Sequence, residues 1–453
     1  MRGKYDVVVV GGGPGGYPAA IIASQKGAKT AVIEADRFGG ECTNYGCIPT
    51  KALLKAARIA RELREYPFIT GEVSIDFKSL RKWMDRVVNR SSKGVEYLLK
   101  GNDVDIIKGR GRILAGYVDV DGERVEYGSL VIATGSKPIS IPGFPIDGRY
   151  IHNNKTILSI EDLPDNILII GGGYIGLEYA TLFTRLGVKV DLVELMDRVL
   201  PQMDRDISAY ISRRLTKEGV NIGTGVKAVS SRVVGGKVEV RLSNDVVERY
   251  DYVLVAVGRR PNTEGVDIEV ALDEKGFIRV DERMETSVKG VYAAGDVTGD
   301  PMLAHKAFME GIVAGENAAG GDAIYVSRYV PSVVYTDPEI LSVGMTLEEA
   351  RNANIDAVDT MYPLRGLAKA RMELGDDGFI KYVFERGSQT LLGIHMVAPN
   401  ASEMAGEAAY LLETGATLED VALTIHPHPT VSEAFREAAE YALDRPIHML
   451  RKR

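Results

Sequence analysis

Tyr5-Asp6-Val7-Val8-Val9-Val10-Gly11-Gly12-Gly13-Pro14-Gly15-Gly16 is a β-branched run closing on a glycine-rich turn, and an Ala/Ile-rich stretch follows it to Gln25. β-Branched residues suit an extended chain, glycine suits a tight turn, and the stretch beyond has helical composition. The same plan returns 160 residues later: Asn166-Ile167-Leu168-Ile169-Ile170, then Gly171-Gly172-Gly173-Tyr174-Ile175-Gly176, then a helical stretch through Arg185. In each copy a second strand-like run ends on an acid, Glu34 or Glu194, 18 residues past Gly16 or Gly176. A single glycine pattern says little, but two complete contexts say more. The glycines admit a pyrophosphate close to the backbone at a helix N-terminus, and the acid accepts from ribose hydroxyls. The chain therefore reads as α/β with two Rossmann-like dinucleotide-binding domains. Their candidate contacts are Gly11, Gly13, Gly16 and Glu34 in the first, and Gly171, Gly173, Gly176 and Glu194 in the second. A carboxylate at Glu194 repels a 2′-phosphate, so a nicotinamide dinucleotide bound there is expected to be NAD rather than NADP.

Leu130-Val131-Ile132-Ala133-Thr134-Gly135 and Leu254-Val255-Ala256-Val257-Gly258-Arg259 are buried-strand runs that close on glycine, and Gly290 to Asp296 ends in a Gly-Asp turn. From about Tyr329 short alternating segments and amphipathic stretches give an α+β module of a different kind. The expected divisions are 1–140, 141–264, 265–328 (returning to the first domain) and 329–453. Net charge is −8 with no basic tract, which argues against nucleic acid as a partner. No window approaches the roughly 20 apolar residues that cross a bilayer. Met1-Arg2-Gly3-Lys4 enters the first strand at once, which leaves no room for a signal peptide and suggests a cytoplasmic enzyme.

The chain has two cysteines, Cys42 and Cys47, in Gly39-Gly40-Glu41-Cys42-Thr43-Asn44-Tyr45-Gly46-Cys47-Ile48-Pro49-Thr50-Lys51. Two cysteines can form at most one bridge, not a stabilising disulfide framework, and no further metal ligands flank them, so no metal is expected. What remains is a transient catalytic pair or two unrelated buried thiols. Residues five apart on an ideal helix are about 7.5 Å apart along its axis, too far for a disulfide, so bridging requires a distorted turn that Gly46 and Pro49 would permit. Lys51 to Ala57 favours helix, and a thiolate at its N-terminus would be stabilised.

Taken together, the cysteine segment, both dinucleotide units, Ala133-Thr134-Gly135, Gly258-Arg259-Arg260-Pro261-Asn262 and Gly295-Asp296 resemble the pyridine nucleotide–disulfide oxidoreductases. Pro301-Met302-Leu303-Ala304-His305-Lys306-Ala307 and His426-Pro427-His428-Pro429-Thr430-Val431-Ser432-Glu433 make the dihydrolipoamide dehydrogenases the most similar branch. The resemblance implies FAD on the first unit, with Gly11, Gly13, Gly16 and Glu34 on its ADP part. Ala133, Thr134, Gly135, Asp296, Met302, Leu303, Ala304 and His305 would line the rest. It implies NAD on the second unit, with Gly258 nearby, and a C-terminal dimerisation domain. Lys51 would approach the flavin and pair with Glu178, Cys47 would face the flavin, and Cys42 would exchange with substrate. His428, oriented by Glu433, would be the acid–base for the cysteines of the other subunit of a homodimer. The substrate would be dihydrolipoamide, free or on a lipoyl domain, and the setting cell redox homeostasis.

Histidine is the side chain that serves as a base near neutrality, and a carboxylate five positions on, around a helix started by Pro429, orients it. His426 reads as structural, and His152, His395 and His448 show no partner in the sequence. Glu41 stands where the dehydrogenases commonly carry Thr and is expected to raise the thiolate pKa of Cys42. Tyr45 is bulkier than the usual aliphatic residue, and Pro427 stiffens the turn between the two histidines. A reductase for glutathione or another small thiol shares these motifs, and a flavin-binding dimer without turnover is the non-enzymatic alternative. Mercuric reductase fits less well, because Leu450-Arg451-Lys452-Arg453 offers no second cysteine pair.

Overall fold

Alternation along the first strand shows why it is a strand and which layers it joins. In β1 (Gly3–Val10), Val7 and Val9 pack to one side of a sheet and Val8 and Val10 to the other, all of them buried. The computed structural model describes residues 3–71 and 74–451; Met1 and Arg2, with which the expected leaderless start begins, and the final Lys452-Arg453 lie outside the described residues. The chain divides into two units, the first comprising residues 1–56, 72–163 and 254–326, the second 57–71, 164–253 and 327–453.

In the first unit β1 leads through α1 (Gly16–Gln25) to β2 (Thr30–Glu34), then to α2 (Gly40–Tyr45), α3 (Cys47–Glu65, whose second half belongs to the other unit) and α4 (Phe77–Gly101). β3 (Asp105–Lys108), β4 (Gly111–Leu114), β5 (Tyr117–Val120) and β6 (Glu123–Ile132) complete a sheet of order β3-β2-β1-β6-β5-β4. The strand Val291–Ala293 adds to β6 in parallel. β1 pairs in parallel with β2 and β6, while β5 pairs antiparallel with β6. α1 lies against the helix Ala304–Ala318 so closely that a Cβ on Gly311 would stand 2.2 Å from the Gly15 carbonyl oxygen, and one on Gly315 would stand 2.3 Å from that of Ala19. β7 (Ser136–Pro138) pairs antiparallel with Arg259–Pro261.

The second unit repeats the strand–turn–helix plan. Asn166–Ile170, the helix Tyr174–Arg185, Lys189–Glu194 and Asn221–Thr224 follow in turn, with the strands parallel. An antiparallel meander, Ala228–Val234, Lys237–Leu242 and Val247–Tyr250, comes next. The last 125 or so residues form the expected α+β module. Its five-stranded antiparallel sheet runs Ser332–Val334, Glu339–Gly344, Leu391–Ala398, Phe379–Glu385, Ala357–Pro363. Ala408, Leu412, Leu418, Val421, Phe435 and Ala438 from its helices share one core with Tyr362, Ile380, Tyr382, Ile394 and Met396. Charge is buried as well. The Arg185 guanidinium is held by Glu218 and Asp337, and Lys381 by Asp204, Asp206 and Asp359. Among the described residues no helix is long and apolar enough to cross a membrane.

Candidate functional site

Each glycine turn is a cradle from which side chains are excluded. A Cβ on Gly16 would stand 1.8 Å from the Gly11 carbonyl oxygen, and one on Gly176 1.9 Å from that of Gly171. Gly11 and Gly171 themselves have φ of +107° and +110°. Gly173 differs, for a Cβ there would meet nothing within 4 Å, which leaves its backbone open at the start of the helix Tyr174–Arg185. The two acids close the cradles in the same way. Glu34 Oε2 accepts from Gly12 N (2.7 Å) and Oε1 from Asp36 N (2.8 Å). Glu194 Oε2 accepts from Gly172 N (2.6 Å) and Oε1 from Met196 N (2.8 Å). These bonds fix each carboxylate at the lip of its turn, where ribose hydroxyls can donate to its remaining lone pairs. The donor set and the missing side chains fit FAD on the first turn and NAD on the second.

The remaining residues expected at the first nucleotide lie in the same unit. Thr134 Oγ1 donates to the Asn262 carbonyl (2.6 Å) and Asn262 Nδ2 to the Thr134 carbonyl (3.1 Å), which ties Ala133-Thr134-Gly135 to the Gly258–Asn262 segment. Gly258 has φ +116°, and its carbonyl accepts from Ile139 N. Asp296 accepts from Ser136 Oγ, which also accepts from Arg259 Nε at 2.7 Å. Met302 and Leu303 lead into the helix that begins at Ala304, with His305 exposed. On that helix the half-buried Lys306 pairs with the buried Glu310 at 2.8 Å, and Glu310 Oε2 accepts from Gly295 N, so one carboxylate locks the Gly-Asp turn to the helix.

The cysteines are joined, and the distortion expected of them is present. Cys42 lies in α2, Cys47 is the first residue of α3, and Gly46 between them (φ −131°, ψ −105°) breaks the helix and brings the Cα atoms to 4.7 Å. Helix therefore begins at Cys47 itself, which puts this cysteine in the first turn of a 19-residue helix, where the N-terminus favours a thiolate. Glu41, expected to raise the thiolate pKa of Cys42, is itself paired. Glu41 Oε1 accepts from Asn154 Nδ2 (2.8 Å) and from Arg259 Nη1 (3.2 Å), so a cation compensates the negative charge beside Cys42. Arg259 is 218 residues away in sequence, which is why the pair was not legible. Lys51 sits on α3, half-buried, and the buried Glu178 accepts from Tyr335 N at 3.0 Å.

The histidines separate by what their nitrogens touch. His428 is exposed, its Nδ1 2.8 Å from Glu433 Oε1, while Glu433 Oε2 accepts from Thr430 N. A carboxylate at Nδ1 places the proton there and leaves the Nε2 lone pair facing outward, the arrangement of a general base. His426 has both nitrogens committed, Nε2 to Glu407 (2.8 Å) and Nδ1 to the Thr424 carbonyl (3.1 Å), and the carboxylate raises its pKa. It has no lone pair to offer. The helix near Glu433 begins at Glu433, not at Pro429; residues 429–432 form the turn that folds the carboxylate back. Two histidines that looked partnerless are held. His448 Nδ1 lies 2.7 Å from Glu437, one helical turn beyond Glu433, and His395 lies 2.8 Å from Ser342 Oγ in full burial. Among the described residues no group of three or more acidic, His or Cys side chains is placed to hold a metal.

The whole chain has close relatives. The dihydrolipoyl dehydrogenase of Thermus scotoductus is 44% identical over 99% of both chains, and that of Haloferax volcanii 41% identical over 99% of this chain and 98% of its own. Among solved structures, LpdA from Mycobacterium tuberculosis superposes with a TM-score of 0.89 at 29% identity, covering 96% of this chain and 98% of that one. The HOCl-induced flavoprotein disulfide reductase RclA from Escherichia coli gives 0.87 at 27%, covering 96% and 99%. Residues 5–311 match the pyridine nucleotide-disulphide oxidoreductases, and residues 330–439 match the dimerisation domain of the same family. With both glycine cradles, a bridged cysteine pair and these matches along its length, the chain belongs to the pyridine nucleotide-disulphide oxidoreductase family.

Proposed function

We propose that the protein oxidises dihydrolipoamide to lipoamide and passes the electrons to NAD. The observation that carries this reading is the Cys42–Cys47 disulfide across the break between α2 and α3, in a chain 44% identical to a dihydrolipoyl dehydrogenase. His428 Nε2 of the partner subunit takes a proton from one substrate thiol, because only a thiolate attacks a disulfide. That sulfur bonds to Cys42 Sγ and releases Cys47 as a thiolate, whose charge the N-terminus of α3 favours. The second substrate thiol then attacks the mixed disulfide, closes the lipoamide ring and frees Cys42. His428, held by Glu433, carries the protons of both steps. FAD, when bound, supplies the acceptor for the dithiol's electron pair and the hydride donor to NAD.

Gly11, Gly13, Gly16, Glu34, Lys51, Ala133, Thr134, Gly135, Asp296 and Met302 to His305 are assigned to FAD, and Gly171, Gly173, Gly176, Glu194 and Gly258 to NAD. Lys51 and Glu178 complete the catalytic set. Residues 1–140 and 265–328 form the FAD domain, 141–264 the NAD domain and 329–453 the dimer interface. The physiological dithiol is carried on a lipoyl domain, and the enzyme works in the cytoplasm. NAD-dependent oxidation of dihydrolipoamide, set against NADPH-dependent reduction of glutathione disulfide, tests the assignment. Turnover of the second pair alone would refute it.

A further inference from the structure

The short helix that carries Cys42 is held near both of its ends, at Glu41 and at Tyr45, by one stretch of chain. Asn154 Nδ2 donates to Glu41 Oε1 (2.8 Å) and to the Tyr45 carbonyl (3.1 Å), while Arg259 Nη1 stands 3.2 Å from the same carboxylate oxygen. Next to it, Lys155 Nζ lies 3.8 Å from the centroid of the Tyr45 ring and 3.2 Å from Asp36 Oδ2, which also accepts from the Tyr45 hydroxyl at 2.8 Å. Asn154 is 6% exposed, so its amide has left water and needs these partners. Glu41 and Tyr45 are the two positions of the redox segment at which the chain departs from the residues its resemblance leads one to expect. Residues 154 and 155 meet both.

The redox cycle gives such a clasp a purpose. Two bonded sulfurs sit about 2 Å apart, and two free thiols stay at van der Waals separation, so reduction pushes the cysteines away from each other. Cys47 starts a helix of 19 residues, whereas Cys42 sits in one of 6, which has few hydrogen bonds of its own to resist displacement. Left alone, the shorter helix would move.

We propose that Asn154 and Lys155, acting through Glu41 and Tyr45, are positioning residues that keep Cys42 in one place in both the disulfide and the dithiol state. Arg259 offsets the Glu41 carboxylate, so the clasp adds no net charge beside the exchange sulfur. The backbone change on reduction falls on Gly46. This rests on the reading of Cys42 as the substrate-facing thiol.

The test uses the FAD-loaded dimer, reduced with dithiothreitol, freed of reductant and pulsed with iodoacetamide, the labelled cysteine being identified by peptide mass. In the wild type the label falls mainly on Cys42. In Asn154→Ala the Cys42:Cys47 ratio drops about tenfold, as does kcat for dihydrolipoamide, on the scale of one buried hydrogen bond, with KM nearly unchanged. Lys155→Ala shifts both in the same direction. Glu41→Gln keeps an oxygen for Asn154 and leaves the Arg259 cation unoffset, so its Cys42:Cys47 ratio stays at or above the wild-type value, whereas Glu41→Ala loses the Asn154 contact and lowers it. An Asn154→Ala protein with wild-type ratio and kcat, even one with a lowered melting temperature, would overturn the proposal. Equal labelling of both cysteines in the wild type would remove its basis at the earlier step, the identity of the exchange thiol.

Discussion

Cys42, Cys47 and His428 divide the chemistry into separable losses. Cys42→Ser and Cys47→Ser each leave no disulfide to attack, and dihydrolipoamide oxidation is expected to disappear in both while FAD stays bound. His428→Ala removes a general base and is expected to lower kcat by about 10²–10⁴-fold; an undiminished rate would show that another group moves the proton. His426 offers a contrast that reads out as stability. Its pKa is raised by hydrogen bonding to Glu407, against the opposing effect of burial. A raised folded pKa contributes stability that is fully present below the unfolded value of 6.5 and is lost as pH rises through the folded pKa. The cost of His426→Asn, read from denaturant midpoints, should therefore be larger at pH 6 than at pH 9, and an equal cost would mean that the Glu407 contact contributes nothing through charge. At this scale the sequence was informative where chemistry is local. The resemblance implied their roles, and because His428 and Glu433 are five apart and the cysteines five apart, each pair showed in the sequence. Arg259 beside Glu41 and Glu437 beside His448 did not, because tertiary folding, and not any local pattern, brings those pairs together.

At the scale of elements, the glycines make opposed predictions. Gly16→Ala puts a methyl group into the Gly11 carbonyl, so the first turn must open and the protein should be isolated with little FAD or not fold. Gly173→Ala meets no protein atom and has an ordinary φ of −78°, so fold and FAD content should be unchanged. A methyl group there would crowd the pyrophosphate, so KM for NAD should rise, by about tenfold if ~1.4 kcal/mol of binding is lost. An unaltered KM would place the dinucleotide elsewhere. The strand–turn–helix units were legible because their signals lie within some thirty residues of chain. The break at Gly46 was legible only as a geometric requirement. The order of the last five strands was not legible, since strands whose inner faces are all apolar do not declare their neighbours.

For the whole molecule, buried charge and symmetry are the features to test. Arg185 is 4% exposed and meets Glu218 and Asp337, whose carboxylates lie within the same unit. Removing one member of such a network strands the others, so Arg185→Ala should cost about 3–5 kcal/mol in denaturant unfolding; a cost below ~1 kcal/mol would show the network to be solvated in solution. Symmetry bears on catalysis, because the dimerisation domain spans residues 330–439 and His428 lies within it, exposed, with Nε2 unclaimed by Glu433. The decisive measurement is NAD-dependent dihydrolipoamide oxidation by a heterodimer of Cys47→Ser and His428→Ala chains, co-expressed and purified through two different tags. If His428 serves the cysteines of its partner, one of the two sites pairs intact cysteines with an intact histidine, and the heterodimer should show about half of wild-type activity while both parent homodimers are inactive. If each histidine served its own chain, both sites would be defective, and a heterodimer as inactive as its parents would contradict the account.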